Sequence, residues 1–389
     1  MRESSQDHHS DASDALAGLQ ANSLIKEDRN PLVMLLWGIP LVLNTFGVIM
    51  ITSVGTNISI ARWDAPFVLA IKQIQWSIIA VLGMIVCYAI PFRIWKRYSG
   101  VFWFLSLGLM YLTLLPGMPK VYGASRWINL GVFSIQPSEV LFVFSVIHLS
   151  KKLHEKDISK RRAFFRTILM YALAFFPFVL QPDYGGAILL FVLMMGIYVE
   201  AHGWAYPLTC GGALGAIMFI PLLFSPYRMA RVLAFLDPWE DPRGKGFQII
   251  QGFIAFANGG LWGVGLGQGL QKLRYLPAAH TDFIFAAIGE ELGFVGTSLV
   301  LVLFICWFAV ILRFYVDFKG TITGTLLWGL AISVALPLLV NLGGVLKLFP
   351  MTGVPLPFIS YGGSALVMMW ARVGFLLGSI KDGLSEQKA

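Results

Sequence analysis

The chain has 389 residues, 57% of them hydrophobic and only 13% charged, with a formal net charge of +8. A mean hydropathy of +0.72 and recurrent apolar runs exclude a soluble globular enzyme and predict an all-α polytopic membrane protein. The positive charge does not point to nucleic acid, because the basic residues gather in short loops between apolar runs, facing anionic lipid.

Residues 1–30 are polar and rich in Ser, Asp and Gln. No apolar core follows a basic start, so this segment reads as a flexible cytoplasmic tail and not a signal peptide. His8 and His9 within it read as inert rather than as a metal pair. Ten transmembrane helices are expected at about 32–54, 68–91, 100–116, 138–150, 167–181, 185–201, 204–224, 282–312, 322–346 and 363–380. Together they form one membrane domain over 31–381, followed by a short cytoplasmic C-terminal tail at 382–389. Cys87, Cys210 and Cys306 lie in or beside apolar spans and form neither a disulfide framework nor a metal pattern.

The loops divide by charge. The turn 92–98 carries Arg93, Lys96 and Arg97, and the loop 151–166 carries seven Lys or Arg. Both follow even-numbered spans and so share a side with the N-terminus. That side holds seventeen Lys and Arg against ten on the other, which predicts that both termini are cytoplasmic. Three outer segments remain: 117–137, 225–281 and 347–362. The second, a large extracytoplasmic loop between helices 7 and 8, is too long for an idle connection. Within it, 227–236 reads as an interfacial amphipathic helix and 237–244 as a turn cluster. The apolar stretch 247–257 is too short to span and reads as re-entrant or interfacial.

Several polar residues stand at the mouths of these spans. Arg126 and Trp127 fit either an interfacial anchor or an arginine fork gripping a diphosphate. Gln136-Pro137-Ser138-Glu139 opens the fourth span, and Glu139, just inside it, needs a partner or a wet pocket. Asp183 reads as the cap of the sixth span. The run Gly263–Gly269 has neither P-loop nor dinucleotide spacing, and reads as a tight, flexible turn beside a lipid-linked ligand. Asp282, at the mouth of the eighth span, is either a helix cap or a general base. His280, Lys272 and Arg274 lie close to it in sequence and offer donors. In a helix begun at Asp282, Glu290 would stand about 12 Å along the axis and about 80° around it, with Glu291 on nearly the opposite face. That helix alone would not supply the close carboxyl pair of a glycosidase. One base suffices where a diphosphate leaves without acid help.

These motifs occur in an order that resembles the SEDS family (FtsW/RodA/SpoVE). The blocks are Gly123–Ile128; Gln136–Glu139; Gln181-Pro182-Asp183; Arg231–Asp241; His280–Phe285 with Glu290–Gly293; and Pro355–Ser364. The Asp237–Pro242 run and the polar N-terminal extension are most like the FtsW branch. The resemblance implies a peptidoglycan glycosyltransferase that polymerises lipid II into glycan strands at the outer face of the bacterial cytoplasmic membrane, for septal wall synthesis in cell division. It implies work beside an FtsI-like class B penicillin-binding protein and other divisome proteins, with lipid II and the undecaprenyl-diphosphate glycan as substrates.

The family's essential aspartate falls on Asp282. Candidate substrate-binding residues are Arg126, Glu139, Arg231, Lys272, His280, Thr281, Lys347 and Ser364. A divalent cation, Mg or Mn, would assist, though the chain has no dedicated ligand set. Two positions depart from the family: Phe142 and Ala278 stand where many relatives carry Lys and Glu, which opens the question of how Glu139 is neutralised. The alternatives are a flippase for lipid-linked precursor, with Glu139, Glu290 and Glu291 as gates; a RodA-like elongation polymerase; and a non-catalytic scaffold.

Overall fold

A computed structural model describes the chain except residues 1–3, 119–124, 130, 132–133, 213–225, 245, 272–275 and 388–389. The side chains of 4–30, 210–211, 226–228 and 230–231 also lie outside the description. The helices are α1 (Ser4–Trp63), α2 (Val68–Ala89), α3 (Phe92–Leu112), α4 (Pro137–Leu153), α5 (Lys160–Leu180) and α6 (Tyr184–His202). After them come α7, whose described part is 205–212, then α8 (Pro226–Leu236), α9 (Phe247–Gly259), α10 (Ile284–Asp317), α11 (Ile322–Val345) and α12 (Gly363–Glu386). The described strands are β1 (Ile128–Asn129) and β2 (Ser134–Ile135), an antiparallel pair with Ile128 opposite Ile135.

Seven of the described helices are long and apolar enough to cross a membrane: α1 from Pro31, α2, α5, α6, α10, α11 and α12. The predicted spans at 100–116 and 138–150 fall on α3 and α4, of 21 and 17 residues. Most of the span expected at 204–224 lies outside the described residues. α1 begins at Ser4, inside the segment read as a tail, and its membrane part starts at Pro31.

Burial separates lipid-facing helices from central ones. Ile78, Leu82 and Val86 of α2 and Phe294, Leu299 and Ile305 of α10 are exposed apolar side chains, as expected where the solvent is hydrocarbon. α12 is the opposite case: 83% of its span window is buried, against 33% for α1. It packs along α2, α11 and α4. α4 packs against α3, and α11 against α6, α10 and α4. The wall around the starts of α4, α6 and α12 and the end of α11 is therefore built by helices distant in sequence.

The segment 225–281 holds a helix at each of the two apolar stretches picked out in the sequence. α8 coincides with the amphipathic stretch, and Asp237 accepts the Trp239 amide at 2.9 Å in the turn after it. α9, with 13 residues, is about 20 Å long and too short to cross. It lies against α10.

Candidate active site

The segment before α10 is a set of tight turns. The Thr281 and Phe283 amides both donate to the Ala278 carbonyl, at 3.0 and 3.2 Å. Ala278 has φ 55, a left-handed conformation that costs a non-glycine residue about 1 kcal/mol. α10 starts at Ile284; its N-cap is Phe283, whose own side chain makes no capping bond. Asp282 therefore stands one residue before the N-cap position. The angle drawn from a helix begun at Asp282 does not apply, because Asp282 and Phe283 lie in the turn before the helix.

Three consecutive carbonyls hold this segment in place. His280 O accepts the Tyr361 amide at 2.9 Å. Thr281 O accepts the Ser360 hydroxyl at 2.7 Å, and Ser360 Oγ in turn accepts the Leu356 amide at 2.8 Å. Asp282 O accepts Asn341 Nδ2 at 2.9 Å, and the same amide donates to Val354 O at 2.8 Å. The Pro355–Ser364 block is thus a clasp on the Asp282 segment. Each bond contributes about 1 kcal/mol net, and an orphaned buried partner would cost more.

Beside the clasp lies a cavity of about 90 Å³, lined in part by Arg126, Gln136, Ser138, Glu139, Asp183 and Arg372. Gly353 belongs to its wall, and a Cβ placed there would lie 3.4 Å from Asp282 Oδ2. Asp282 is half-buried and is not itself a lining residue; its carboxylate stands next to one, at the cavity's edge. Gly353 has φ 76, so this close approach is made where glycine is favoured.

Glu139 is paired across the cavity floor. Arg372 Nη2 of α12 donates to Glu139 Oε2 at 3.1 Å. This settles how Glu139 is neutralised with Phe142 in the position of the family's lysine: the cation comes from α12. Sequence reading missed Arg372. The available signal was a lone arginine nine residues into an apolar run that starts at Gly363. Arg126 Nη1 lies 3.5 Å from Asp183 Oδ1, and its Nη2 donates to Pro182 O at 3.0 Å. Asp183 also accepts the Gly186 amide at 3.2 Å, and so caps α6 as expected. Ser364 Oγ accepts the Gln136 amide at 3.3 Å, tying the starts of α4 and α12 together.

Glu290 and Glu291 go elsewhere. Glu290 accepts the Leu270 and Gln271 amides at 3.1 Å each and Asn258 Nδ2 at 3.3 Å. Glu291 accepts the Gly267 amide at 3.0 Å and the Ser53 hydroxyl at 2.6 Å. Their carbonyls accept the Val264 and Gly265 amides. Neither glutamate lines the cavity. The glycine run is a loop wound onto two buried carboxylates, which gives the tight turn read from the sequence its partners within the chain. α10 bends there: Gly293 has φ 68 and ψ −163. A side chain at Gly293 would strike the Gly263 amide at 2.4 Å.

The remaining residues divide. His280 packs near Tyr361, with ring centroids 5.9 Å apart. Burial, and to a lesser extent the Arg62 charge, push its imidazole down to about 4, so it is neutral at pH 7. Thr281 Oγ1 donates to Ala278 O at 3.2 Å. Lys347 Nζ donates to Leu236 O at 3.4 Å, placing a cation at the C-terminus of α8. Lys272, Arg274 and the Arg231 side chain lie outside the described residues. Among the described residues, no three His, Cys, Asp or Glu gather as a metal site.

The profile of the Cell cycle protein family FtsW/RodA/SpoVE matches residues 33–382. The chain is 38% identical over 353 residues to the Stage V sporulation protein E of Bacillus subtilis, covering 88% of this chain and 95% of that protein. It is 38% identical over 365 residues to a protein of Escherichia coli O6:H1 named probable peptidoglycan glycosyltransferase FtsW, covering 92% and 86%. A chain solved in work on a peptidoglycan synthase complex that coordinates polymerization and crosslinking matches with TM-score 0.73 and 28% identity, over 90% of this chain and 97% of that one. The Thermus thermophilus rod shape determining protein RodA shares the fold, at TM-score 0.67 and 23% identity, over 89% and 96%. With a clasped aspartate at the edge of a helix-walled cavity, and with relatives matched over almost their full length, this multi-pass membrane protein belongs to the FtsW/RodA/SpoVE family of cell cycle proteins.

Proposed function

We propose that the chain is a peptidoglycan glycosyltransferase that polymerises lipid II at the outer face of the bacterial cytoplasmic membrane, in septal wall synthesis. The observation that carries this reading is the placement of Asp282, whose backbone is held at three successive carbonyls while its carboxylate stands at the cavity's edge. Such holding supports a group that must meet a substrate atom within a fraction of an ångström. The acceptor sugar hydroxyl attacks the anomeric carbon of the growing strand. The bond from that carbon to the lipid diphosphate breaks, and its electron pair leaves with the diphosphate. Asp282 takes the hydroxyl proton, and the product is inverted. Arg126, 35% exposed at the cavity mouth, is the described cation best placed for the diphosphate, with Lys272, Arg231 and Lys347 as further candidates. A divalent cation, Mg or Mn, would enter as the diphosphate's counter-ion.

In this reading the termini are cytoplasmic, by the loop charges, and 225–281 is extracytoplasmic. An FtsI-like class B penicillin-binding protein meets that outer segment and activates polymerisation, with other divisome proteins around it. The test is polymerisation of purified lipid II by wild type and Asp282→Asn, each with the partner. The variant should fold and bind the partner yet lose about 10²–10⁴-fold in rate; wild-type rate would remove Asp282 from the chemistry. Strand synthesis absent from the wild type but lipid II flipping present would favour a transporter. Cysteine labelling from outside should reach Gly353→Cys and spare Lys156→Cys, and the reverse would overturn the orientation.

A further inference from the structure

Arg372 is 1% exposed. One of its terminal nitrogens, Nη2, is on Glu139. Its Nε and Nη1 are buried and have no partner among the described residues, and the residue lines the cavity. A guanidinium has five N–H donors and no acceptor, so Nε and Nη1 leave three donors unanswered. A buried donor without an acceptor is costly, and native proteins rarely leave one so. Arg126 adds another, since its buried Nε is likewise unpartnered. The geometry of the helices explains how Arg372 reaches this place. Gln136 and Ser364 are joined at the cavity rim. Glu139 is three residues further along α4 and Arg372 eight along α12, so their backbones differ in depth by about 7 Å. A long side chain climbing toward the outer face closes that gap.

The charges in the wall decide what these donors receive. Among the described residues the lining holds two arginines, Arg126 and Arg372, and two acids, Glu139 and Asp183. Each arginine is already matched to one acid, and Asp282 adds a carboxylate at the edge. These described residues carry no net positive charge for a diphosphate, yet they are rich in donors. It is also part apolar, through Phe142, Leu189, Leu193, Leu336 and Pro337. Donors aimed past an apolar surface suit a group that is uncharged, bears acceptor oxygens and has C–H faces.

We propose that Arg372 is a substrate-binding residue that takes the sugar of the lipid-linked substrate, through hydroxyl or acetamido oxygens, and that the diphosphate stays outside at the mouth. The proposal rests on the glycosyltransferase reading and adds a sugar subsite built between α4 and α12.

The test compares two probes that share the diphosphate and lipid: lipid II, and undecaprenyl diphosphate without sugar. Binding of each to purified full-length protein is measured for wild type, Arg372→Lys and the double variant Arg372→Gln/Glu139→Gln. The double variant removes both charges together, so no buried ion is stranded. Thermal melting identifies correctly folded samples. Arg372→Lys keeps the charge but loses the planar fork. Both variants should bind lipid II about 10-fold or more weakly and bind undecaprenyl diphosphate as wild type does. Equal weakening toward both probes would make Arg372 a diphosphate residue and overturn the proposal. Unchanged binding of both by folded variants would make it purely structural, and would also overturn it. Wild type that binds lipid II more tightly than undecaprenyl diphosphate, yet forms no strands with its partner, would leave the sugar subsite standing and defeat the glycosyltransferase reading.

Discussion

Asp282 and the Glu290–Glu291 pair lie within ten residues of one another, at and beyond the mouth of one helix, and their surroundings differ completely. Each glutamate is buried and receives several donors at hydrogen-bonding distance from a loop, an asparagine or a serine. These are acids used as fasteners. Asp282 differs in that its carbonyl is clamped by Asn341 and in that it stands half-buried beside a residue of the cavity wall. The lesson is that an intramembrane carboxylate is not evidence of chemistry until its donors are located. Where loop amides converge on it, the acid completes a fold. Where the backbone is clamped and the side chain stands beside a cavity, the acid is a candidate for chemistry, which is the role proposed for Asp282.

The comparison breaks most decisively at the two kinds of acid. Asp282→Asn should cost about 10²–10⁴ in polymerisation rate with melting within about 0.5 kcal/mol of wild type. Glu290→Ala should do the reverse. It strands the Leu270 and Gln271 amides and the Asn258 side chain, and should cost about 3–5 kcal/mol of stability, seen as a large fall in melting temperature in detergent. A Glu290→Ala protein that melts like wild type would show that the fastening is dispensable. Ser360→Ala is intermediate. It removes a donor to Thr281 O and an acceptor for Leu356, and should cost about 1–2 kcal/mol together with a several-fold fall in rate as the clasp loosens. A fall in stability with no change in rate would separate the clasp from the chemistry.

The smallest effect is one of pH. The folded His280 titrates near 4, below the ordinary imidazole value, chiefly because burial disfavours its charge. The unfolded chain therefore binds a proton more readily, and stability falls as pH drops from about 6.5 toward 4. Below that range the loss levels off. His280→Gln should flatten this part of a melting-temperature profile, and an unchanged slope would place the acid sensitivity elsewhere.

Much of this was legible in the chain. Hydropathy placed the long spans, because an apolar run of about twenty residues has few other uses. The outer pieces α8 and α9 followed from length and turn chemistry, and Asp183 as a cap followed from its position before α6. What escaped was long-range. Nothing local joins Glu291 to Ser53, 238 residues away, or Arg372 to Glu139, 233 residues away. Periodicity also carried α10 smoothly past Gly293, where the backbone departs from helix. Glycine at that point permits the bend without announcing it. The partnership of Asn341 with Asp282 was invisible for the same reason as the ion pair: a single polar residue in an apolar run does not name its contact.

The character of α12 has a consequence for how the protein is made. Its span window is the most buried among the seven membrane-length helices and has the lowest mean hydropathy, 1.5 against 2.7 for α10. It also carries Arg372 within it, a residue that insertion machinery accepts at a cost of about 3 kcal/mol at mid-membrane. α12 follows the other spans in chain order. It is poorly suited to partition into lipid alone and well suited to enter a slot already walled by α2, α4 and α11. The consequence is that the cavity is complete, and Glu139 has its Arg372 partner, only when α12 is seated in that slot.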